Sequence, residues 1–322
     1  MVKNLITGIT GFVGSHLAEY LLNENEKVCG TYRWRSPRDN IKNIEGRLNL
    51  VPCELRDYAS VLDCVENIKP DVIYHLAAQS YVKDSYGQAA STIETNVIGT
   101  INLLDVIKRL KKKDGYNPII HICSSSEVYG QPLESEIPVK ETNPLRPASP
   151  YALSKVGEDM AGLQYFLTDG LKTIRTRMFT HTGPRRGEVF VVSAFAKQIA
   201  QIEKGLQESI IKVGNLDSVR TFSDVRDAVR AYYLLVNKCE PGEVYNIGGN
   251  ETMRVGDMLD RLIKFSNLKK IDILEDPNLI RPADVTLQIP CVDKFEKATG
   301  WRPEIPFSKT LRDTLDYWRE KV

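Results

Sequence analysis

Along the first half of the chain, short apolar runs alternate with stretches in which apolar residues recur every three or four positions. Asn4–Thr7, Lys27–Tyr32, Asn49–Pro52, Val72–Leu76, Ile119–Cys123 and Thr173–Met178 have strand length. Between them, Gly14–Asn23 and Thr95–Leu110 place Leu17 with Leu21, and Leu103 with Ile107, at helical spacing. Buried strands separated by amphipathic helices are what a parallel sheet covered on both faces requires. The pattern predicts an α/β fold, a Rossmann-type doubly wound parallel sheet. After Met178 the alternation loosens through the Gly/Pro/Arg segment His181–Gly187, which predicts a smaller, interleaved C-terminal lobe. The expected division is a main sheet domain at 1–178, with returns near 218–248 and 283–293, and a second lobe mainly at 179–322. Within the first return, Val225–Leu235 reads as a helix and Glu243–Ile247 as a strand. Lys111–Lys113 reads as solvated charge at the negative end of a helix.

Composition narrows the function classes. Over 322 residues, 43 Lys and Arg against 42 Asp and Glu leave a formal net charge of +1, so no overall field draws the protein to nucleic acid or to an anionic membrane. Hydrophobic content of 42% with charged content of 26% is that of a globular chain and excludes global disorder. The first apolar run breaks at Gly8, too early for a signal-peptide core, and no stretch reaches the ~18 apolar residues of a spanning helix. A cytoplasmic location is expected. The six cysteines lack a CxxC pair and the four histidines lack ligand spacing, which predicts reduced thiols and no metal.

Directly after the first strand comes Gly8-Ile9-Thr10-Gly11-Phe12-Val13-Gly14, then a helix. Glycines at this spacing allow a tight turn and let backbone N–H groups approach a pyrophosphate at the positive end of the helix. Gly8, Gly11, Phe12, Val13 and Gly14 are therefore candidate dinucleotide contacts. At the end of the second strand, where an NAD site presents an acid to the ribose 2′-hydroxyl, this chain has Arg33, Arg35 and Arg38. Those cations suit a 2′-phosphate and favour NADP over NAD. Glu54 and Leu55 close the third strand near the expected adenine, Asp57 suits a helix cap, and Ala77-Ala78-Gln79 offers small residues for the cofactor to cross.

Tyr151 and Lys155, four residues apart, share a helix face. Tyr317 and Lys321 repeat the spacing, so context decides. Only Tyr151 follows a proline-rich turn (Pro144, Pro147, Pro150) and a strand running into Ser124-Ser125-Ser126-Glu127, which brings hydroxyls and a carboxylate to the sheet edge where ligands bind in open α/β folds.

Taken with HLAAQSYV, SSSEVYG, SPYALSK, HTGPRRG, VRTFSDVRDAVRAYYLL, LIRPADV and TGWRP, these motifs resemble the extended short-chain dehydrogenase/reductase family over nearly the whole chain. More narrowly, they resemble its GDP-mannose 4,6-dehydratase and GDP-4-keto-6-deoxymannose reductase branch. The resemblance implies a catalytic set of Ser125, Glu127, Tyr151 and Lys155. Lys155 and the nicotinamide charge favour the Tyr151 phenolate, which takes a proton from a sugar hydroxyl held by Ser125 as that carbon is oxidised. The ketone acidifies C5, Glu127 removes that proton and assists departure of the C6 hydroxyl as water, and hydride returns to C6. It also implies substrate contacts from Ser80, Ser126, Thr180, Arg185, Arg186, Arg220 and Arg281. Ser126 stands where dTDP-glucose dehydratases carry Asp, consistent with the GDP-sugar branch. Two departures concern the substrate: Thr180 replaces the usual Asn, and Ala194 replaces a dehydratase lysine. The expected activity is NADP-dependent 4,6-dehydration of GDP-mannose or a related GDP-sugar such as GDP-GlcNAc. A 4-keto-sugar-nucleotide reductase or an epimerase of the same fold is the alternative, and a homodimer or homotetramer is the expected assembly.

Overall fold

The computed structural model describes residues 1–280, 283 and 285–322. In the first half lie β1 (Lys3–Thr7), α1 (Phe12–Asn23), β2 (Lys27–Tyr32), β3 (Asn49–Pro52), α2 (Tyr58–Ile68), β4 (Val72–His75), α3 (Val82–Gly87), α4 (Ala89–Ile93), α5 (Gly99–Asp114), β5 (Ile119–Ser125), α6 (Pro150–Asp169) and β6 (Lys172–Met178). The second half adds β7 (His181–Thr182), α7 (Val191–Glu203), β8 (Ile210–Val213), β9 (Val219–Asp224), α8 (Val225–Lys238), β10 (Val244–Ile247), β11 (Glu251–Arg254), α9 (Val255–Ile263), β12 (Asp272–Glu275), β13 (Leu287–Gln288), α10 (Asp293–Thr299) and α11 (Phe307–Lys321).

Seven strands form one parallel sheet in the order β10-β6-β5-β4-β1-β2-β3. Successive residues of a strand face opposite sides, and β1 shows the result. Leu5 enters a core with Val61, Val65, Leu103 and Ile107 of α2 and α5, while Ile6 enters one with Leu17, Leu21, Val229 and Tyr232 of α1 and α8. The winding reverses between β1 and β4, which opens a crevice beyond the C-terminal ends of the strands.

The helix starts differ from the sequence pattern in instructive ways. α1 begins at Phe12, two residues early, because the Gly11 carbonyl already accepts from the Ser15 N–H. The stretch from Thr95 opens as a wide, π-type turn, Glu94–Ile98, before α5. Inside it the buried Asn96 side chain accepts from the Gln79 N–H and donates to the Gln79 carbonyl and to Ser154 Oγ. β4 ends at His75 because the Leu76 N–H turns to Thr7 Oγ1 (3.0 Å), and β5 runs on to Ser125, paired with Met178. The basic residues closing α5 are partly engaged: Lys111 Nζ donates to the Asp169 and Gly170 carbonyls.

In the second lobe β9 pairs with β11, β13 and β7, β8 pairs with β12, and α7, α9 and α11 close over Phe195, Phe222, Met258 and Leu311. Within 218–248, α8 joins the core under the main sheet and β10 becomes its edge strand. The segment 283–293 differs from the expected return: Leu287–Gln288 pairs with β9 of the small sheet, and the segment meets the first half through its loops, by a bridge from Pro290 to Val139 and hydrogen bonds of Thr286 to Gln131 and of Gln288 to Ser126. Trp301, fully buried in the main core, donates Nε1–H to the Asp227 carbonyl and ties the chain after α10 to α8. Among the described residues no helix is long and apolar enough to cross a membrane.

Candidate active site

The glycine turn is built by close approach. Gly8 has φ of 71°, and a Cβ there would stand 3.0 Å from Ala77 Cα. At Gly14 a Cβ would lie 2.4 Å from the Gly8 carbonyl oxygen. Thr7 Oγ1 accepts from the Leu76 and Ala77 N–H groups, so the turn rests directly on the Ala77–Gln79 segment. Phe12 and Val13 are half-buried at the start of α1, and Gly11 is exposed. Leu55 is buried in the core, with Ala78 half-buried beyond β4.

At the far end of β2 a cavity of about 520 Å³ is lined by Arg33, Trp34, Arg35, Cys53 and Glu54. Glu54 also pairs with Arg56 (3.1 Å), which with Arg33 holds its carboxyl below the usual range. Asp57 caps α2 by accepting from the Ala59 N–H. Arg38, expected in this set, does not line the cavity: its guanidinium lies over the Tyr32 ring and is paired with Glu45 at 2.6 Å.

A second cleft, of about 510 Å³, opens between the sheet edge and the small lobe. Ser125, Ser126 and Glu127 reach it from the end of β5 and the single turn that follows, which Ser125 Oγ caps by accepting from the Glu127 N–H (3.2 Å). Tyr151 reaches it from the first turn of α6, where Ser149 is the cap, Pro150 the first residue, and the Tyr151 N–H donates to Ser85 Oγ. Burial pushes the Tyr151 phenol up, while the Lys155 ammonium and a hydrogen bond with Ser125 pull it down. Lys155 Nζ donates to the Cys123 carbonyl (2.9 Å) and to Glu158 Oε2 (2.8 Å). Although burial works against its charge, the Glu158 carboxylate holds that ammonium above its ordinary value.

Ser80, Thr180, Arg186 and Arg220 line the same cleft. Arg220 also donates to the Val219 and Val285 carbonyls, and Ser126 Oγ to Gln288. Arg186 lies between two rings, 4.9 Å from the centroid of Phe12 and 3.6 Å from that of Phe190, and burial lowers it to about 10. It therefore touches the glycine turn as well as the cleft. Arg185 departs from its expected place on the substrate. Held at φ of 71°, it turns to α1, pairs with Glu19 (2.6 Å) and does not line the cleft. Arg281 lies outside the described residues. Tyr317 sits on α11 of the small lobe, with Lys321 5.9 Å from its ring, away from this edge. Lys83, Lys212 and Asn215 line the distal cleft and were missed, because a lysine or asparagine outside a recurrent motif carries no chemical signature of its own.

Two buried polar atoms without a hydrogen-bond partner, Gln79 Oε1 and His181 Nε2, flank the glycine turn, and the His181 ring stacks on Phe12 at 5.9 Å. With the glycine cradle and the arginine-lined cavity, these features fit a dinucleotide lying across the C-terminal edge of the sheet.

A parallel sheet with a glycine turn, and a Ser/Tyr/Lys set beside a sugar-sized cleft, define an enzyme of the extended short-chain dehydrogenase/reductase class. The sequence model of the GDP-mannose 4,6 dehydratase family matches residues 5–314. The chain is 32% identical over 318 residues to a GDP-6-deoxy-D-mannose reductase of Pseudomonas aeruginosa, covering 98% of this chain and 97% of that relative. It is 30% identical to a GDP-mannose 4,6-dehydratase of Yersinia enterocolitica, covering 95% and 90%. Among solved structures, RMD from Pseudomonas aeruginosa complexed with NADPH matches with a TM-score of 0.83 at 31% identity, covering 99% of this chain and 100% of that one. Thermus thermophilus UDP-glucose 4-epimerase in complex with NAD matches with a TM-score of 0.87 at 28% identity, covering 99% of both chains. The chain belongs to the GDP-mannose 4,6-dehydratase family, as its motifs led us to expect.

Proposed function

We propose that the protein is an NADP-dependent 4,6-dehydratase of a GDP-hexose, GDP-mannose or a relative such as GDP-GlcNAc. The observation that carries this reading is that Ser125, Glu127 and Tyr151 open into one cleft, which extends to Arg220. The groups needed at opposite parts of one hexose ring, and a cation for its diphosphate, thus share one space. Gly8, Gly11 and Gly14 would hold the cofactor's pyrophosphate, Arg33 and Arg35 its 2′-phosphate, and Ala77–Gln79 its nicotinamide half. When bound, the cofactor supplies reversible two-electron oxidation of the sugar.

The side chains do the rest. Ser125 holds the C4 oxygen by a hydrogen bond while Tyr151, as phenolate, takes the hydroxyl proton; the Lys155 charge favours that form. Once C4 is a carbonyl its neighbour C5 is acidic. Glu127, on the turn after Ser125, takes the C5 proton and returns one to the departing C6 hydroxyl. A positioned acid–base group of this kind contributes roughly 10²–10⁴-fold to rate. Glu127→Gln should therefore abolish water elimination from the GDP-sugar while NADP titration, followed by fluorescence, stays near wild type. Wild-type turnover in that variant removes Glu127 from the mechanism.

A second reading, NADPH-dependent reduction of a 4-keto-sugar nucleotide, is supported by the 32% identity over 318 residues to the Pseudomonas reductase. Ala194, which lines the cleft where the dehydratases are expected to carry a lysine, favours the same reading.

A further inference from the structure

The innermost charges of the site do not line the cleft. Lys155 and Glu158, three residues apart on α6, form an ion pair of 2.8 Å with side chains only 6% and 1% exposed. Lysine has three donors. Two are committed here, to Glu158 Oε2 and to the Cys123 carbonyl, and Nζ stands 6.0 Å from the centroid of the Tyr151 ring. Glu158 uses only one oxygen, since Oε1 is buried without a partner. A carboxylate half-satisfied in the interior is costly, and a neutral side chain would fill the space at less expense. Its neighbour Asp159 shows the contrast: both of its oxygens are taken by Arg175 and Arg177 of β6, a closed structural cluster. Glu158 stands outside that cluster and addresses the lysine of the active site.

We propose that Glu158 is a positioning residue for the proton-transfer pair: its carboxylate anchors Lys155 toward Cys123 and offsets part of the charge that Lys155 presents to Tyr151. The inference rests on the reading of Tyr151 as the base. The groups around the pair are Tyr151, Lys155 and Asp159 on α6, Cys123 and His121 on β5, His75 on β4, Arg175 and Arg177 on β6, Tyr232 on α8 and Arg186 beside the cleft. Both histidines are held neutral by burial, and Arg175 and Arg177 are committed to Asp159. Glu158 is thus the anion set directly against Lys155. Burial pushes Glu158 up to about 7 against the pull of Lys155, and its charge adds to the upward displacement of Tyr151. Protonating Glu158 therefore makes Tyr151 easier to ionise, which flattens the loss of phenolate as pH falls.

Glu158→Gln keeps the size and a hydrogen-bond acceptor while removing the charge. The ionisation midpoint of Tyr151 can be followed by the near-ultraviolet tyrosinate band, as the difference between each protein and its Tyr151→Phe counterpart, with and without NADP. The midpoint should fall by about half a unit to one unit in Glu158→Gln. The acid limb of kcat/KM should move the same way with KM for the GDP-sugar unchanged. Glu158→Leu should give the same downward shift and serves if the Gln variant does not fold. Glu158→Asp, which restores the charge, should return the midpoint toward wild type. An unmoved or raised midpoint in a folded neutral variant overturns the inference and leaves the reading of Tyr151 intact. Absence of any Tyr151 transition in the wild-type protein instead overturns the reading beneath it.

Discussion

Gly14 illustrates how little space separates a working cofactor turn from a blocked one. The 2.4 Å that a Cβ would leave to the Gly8 carbonyl oxygen cannot be relieved by a rotamer, because both sides are backbone. Gly14→Ala should lose dinucleotide binding by calorimetry and cost about 1–3 kcal/mol of stability; near wild-type affinity would contradict the placement of the pyrophosphate. Arg33 tests cofactor choice. Charge-assisted hydrogen bonds contribute about 1.5–3 kcal/mol, so Arg33→Ala should weaken NADP binding about tenfold or more while NAD binding changes little. Equal losses for both would place Arg33 away from the 2′-phosphate. Single residues also mark the limit of what the sequence could reveal. Arg185 and Arg186 are adjacent and chemically identical, yet one turns to Glu19 on α1 and the other lies between Phe12 and Phe190. The left-handed backbone at Arg185 separates them, and no spacing rule announces it.

At the scale of elements, the strands of the main sheet were legible because burial on both faces leaves continuous apolar runs. The start of α6 was legible in part: the proline-rich turn ending at Pro150 marked Tyr151 as following a break in the chain, while the cap, Ser149, which sets Tyr151 on the opening turn, came only with the structure. Ser149→Ala should lower stability by about 1 kcal/mol. It should also lower kcat while leaving KM near wild type, because the loosened turn carries the phenol; an unchanged kcat would detach the cap from catalysis. The wide turn at Glu94–Ile98 was not legible. Its buried Asn96 is bound to Gln79 and Ser154, partners that only the tertiary fold brings near.

For the whole molecule, the loosened rhythm after Met178 coincides with the strands that leave the main sheet, β7, β8, β9, β11, β12 and β13. The pairing of Leu287–Gln288 with β9 had no such signal, because two residues carry no period. The four histidines give the fold a common acid weakness. Burial lowers His16 to about 4 and His75, His121 and His181 to about 3. Between those values and the unfolded value near 6.5 the unfolded chain binds more protons, so stability present above that range is lost as pH falls through it. Glu158, raised to about 7, acts in the opposite sense between about 4.5 and 7, but it is one group against four. Thermal scans should show Tm falling between about pH 7 and 5, by on the order of 1 kcal/mol of stability per histidine. A flat Tm across that range would mean that the imidazoles are not held neutral.

The chemistry itself is tested most directly by mass. The protein, supplied with GDP-mannose or GDP-GlcNAc and a trace of NADP but no NADPH, should yield a product lighter by about 18 Da with no net consumption of cofactor, because the electrons taken from C4 are given back at C6. An unchanged sugar nucleotide, together with stoichiometric oxidation of NADPH when a 4-keto sugar nucleotide is offered instead, would contradict the dehydratase and establish the reductase.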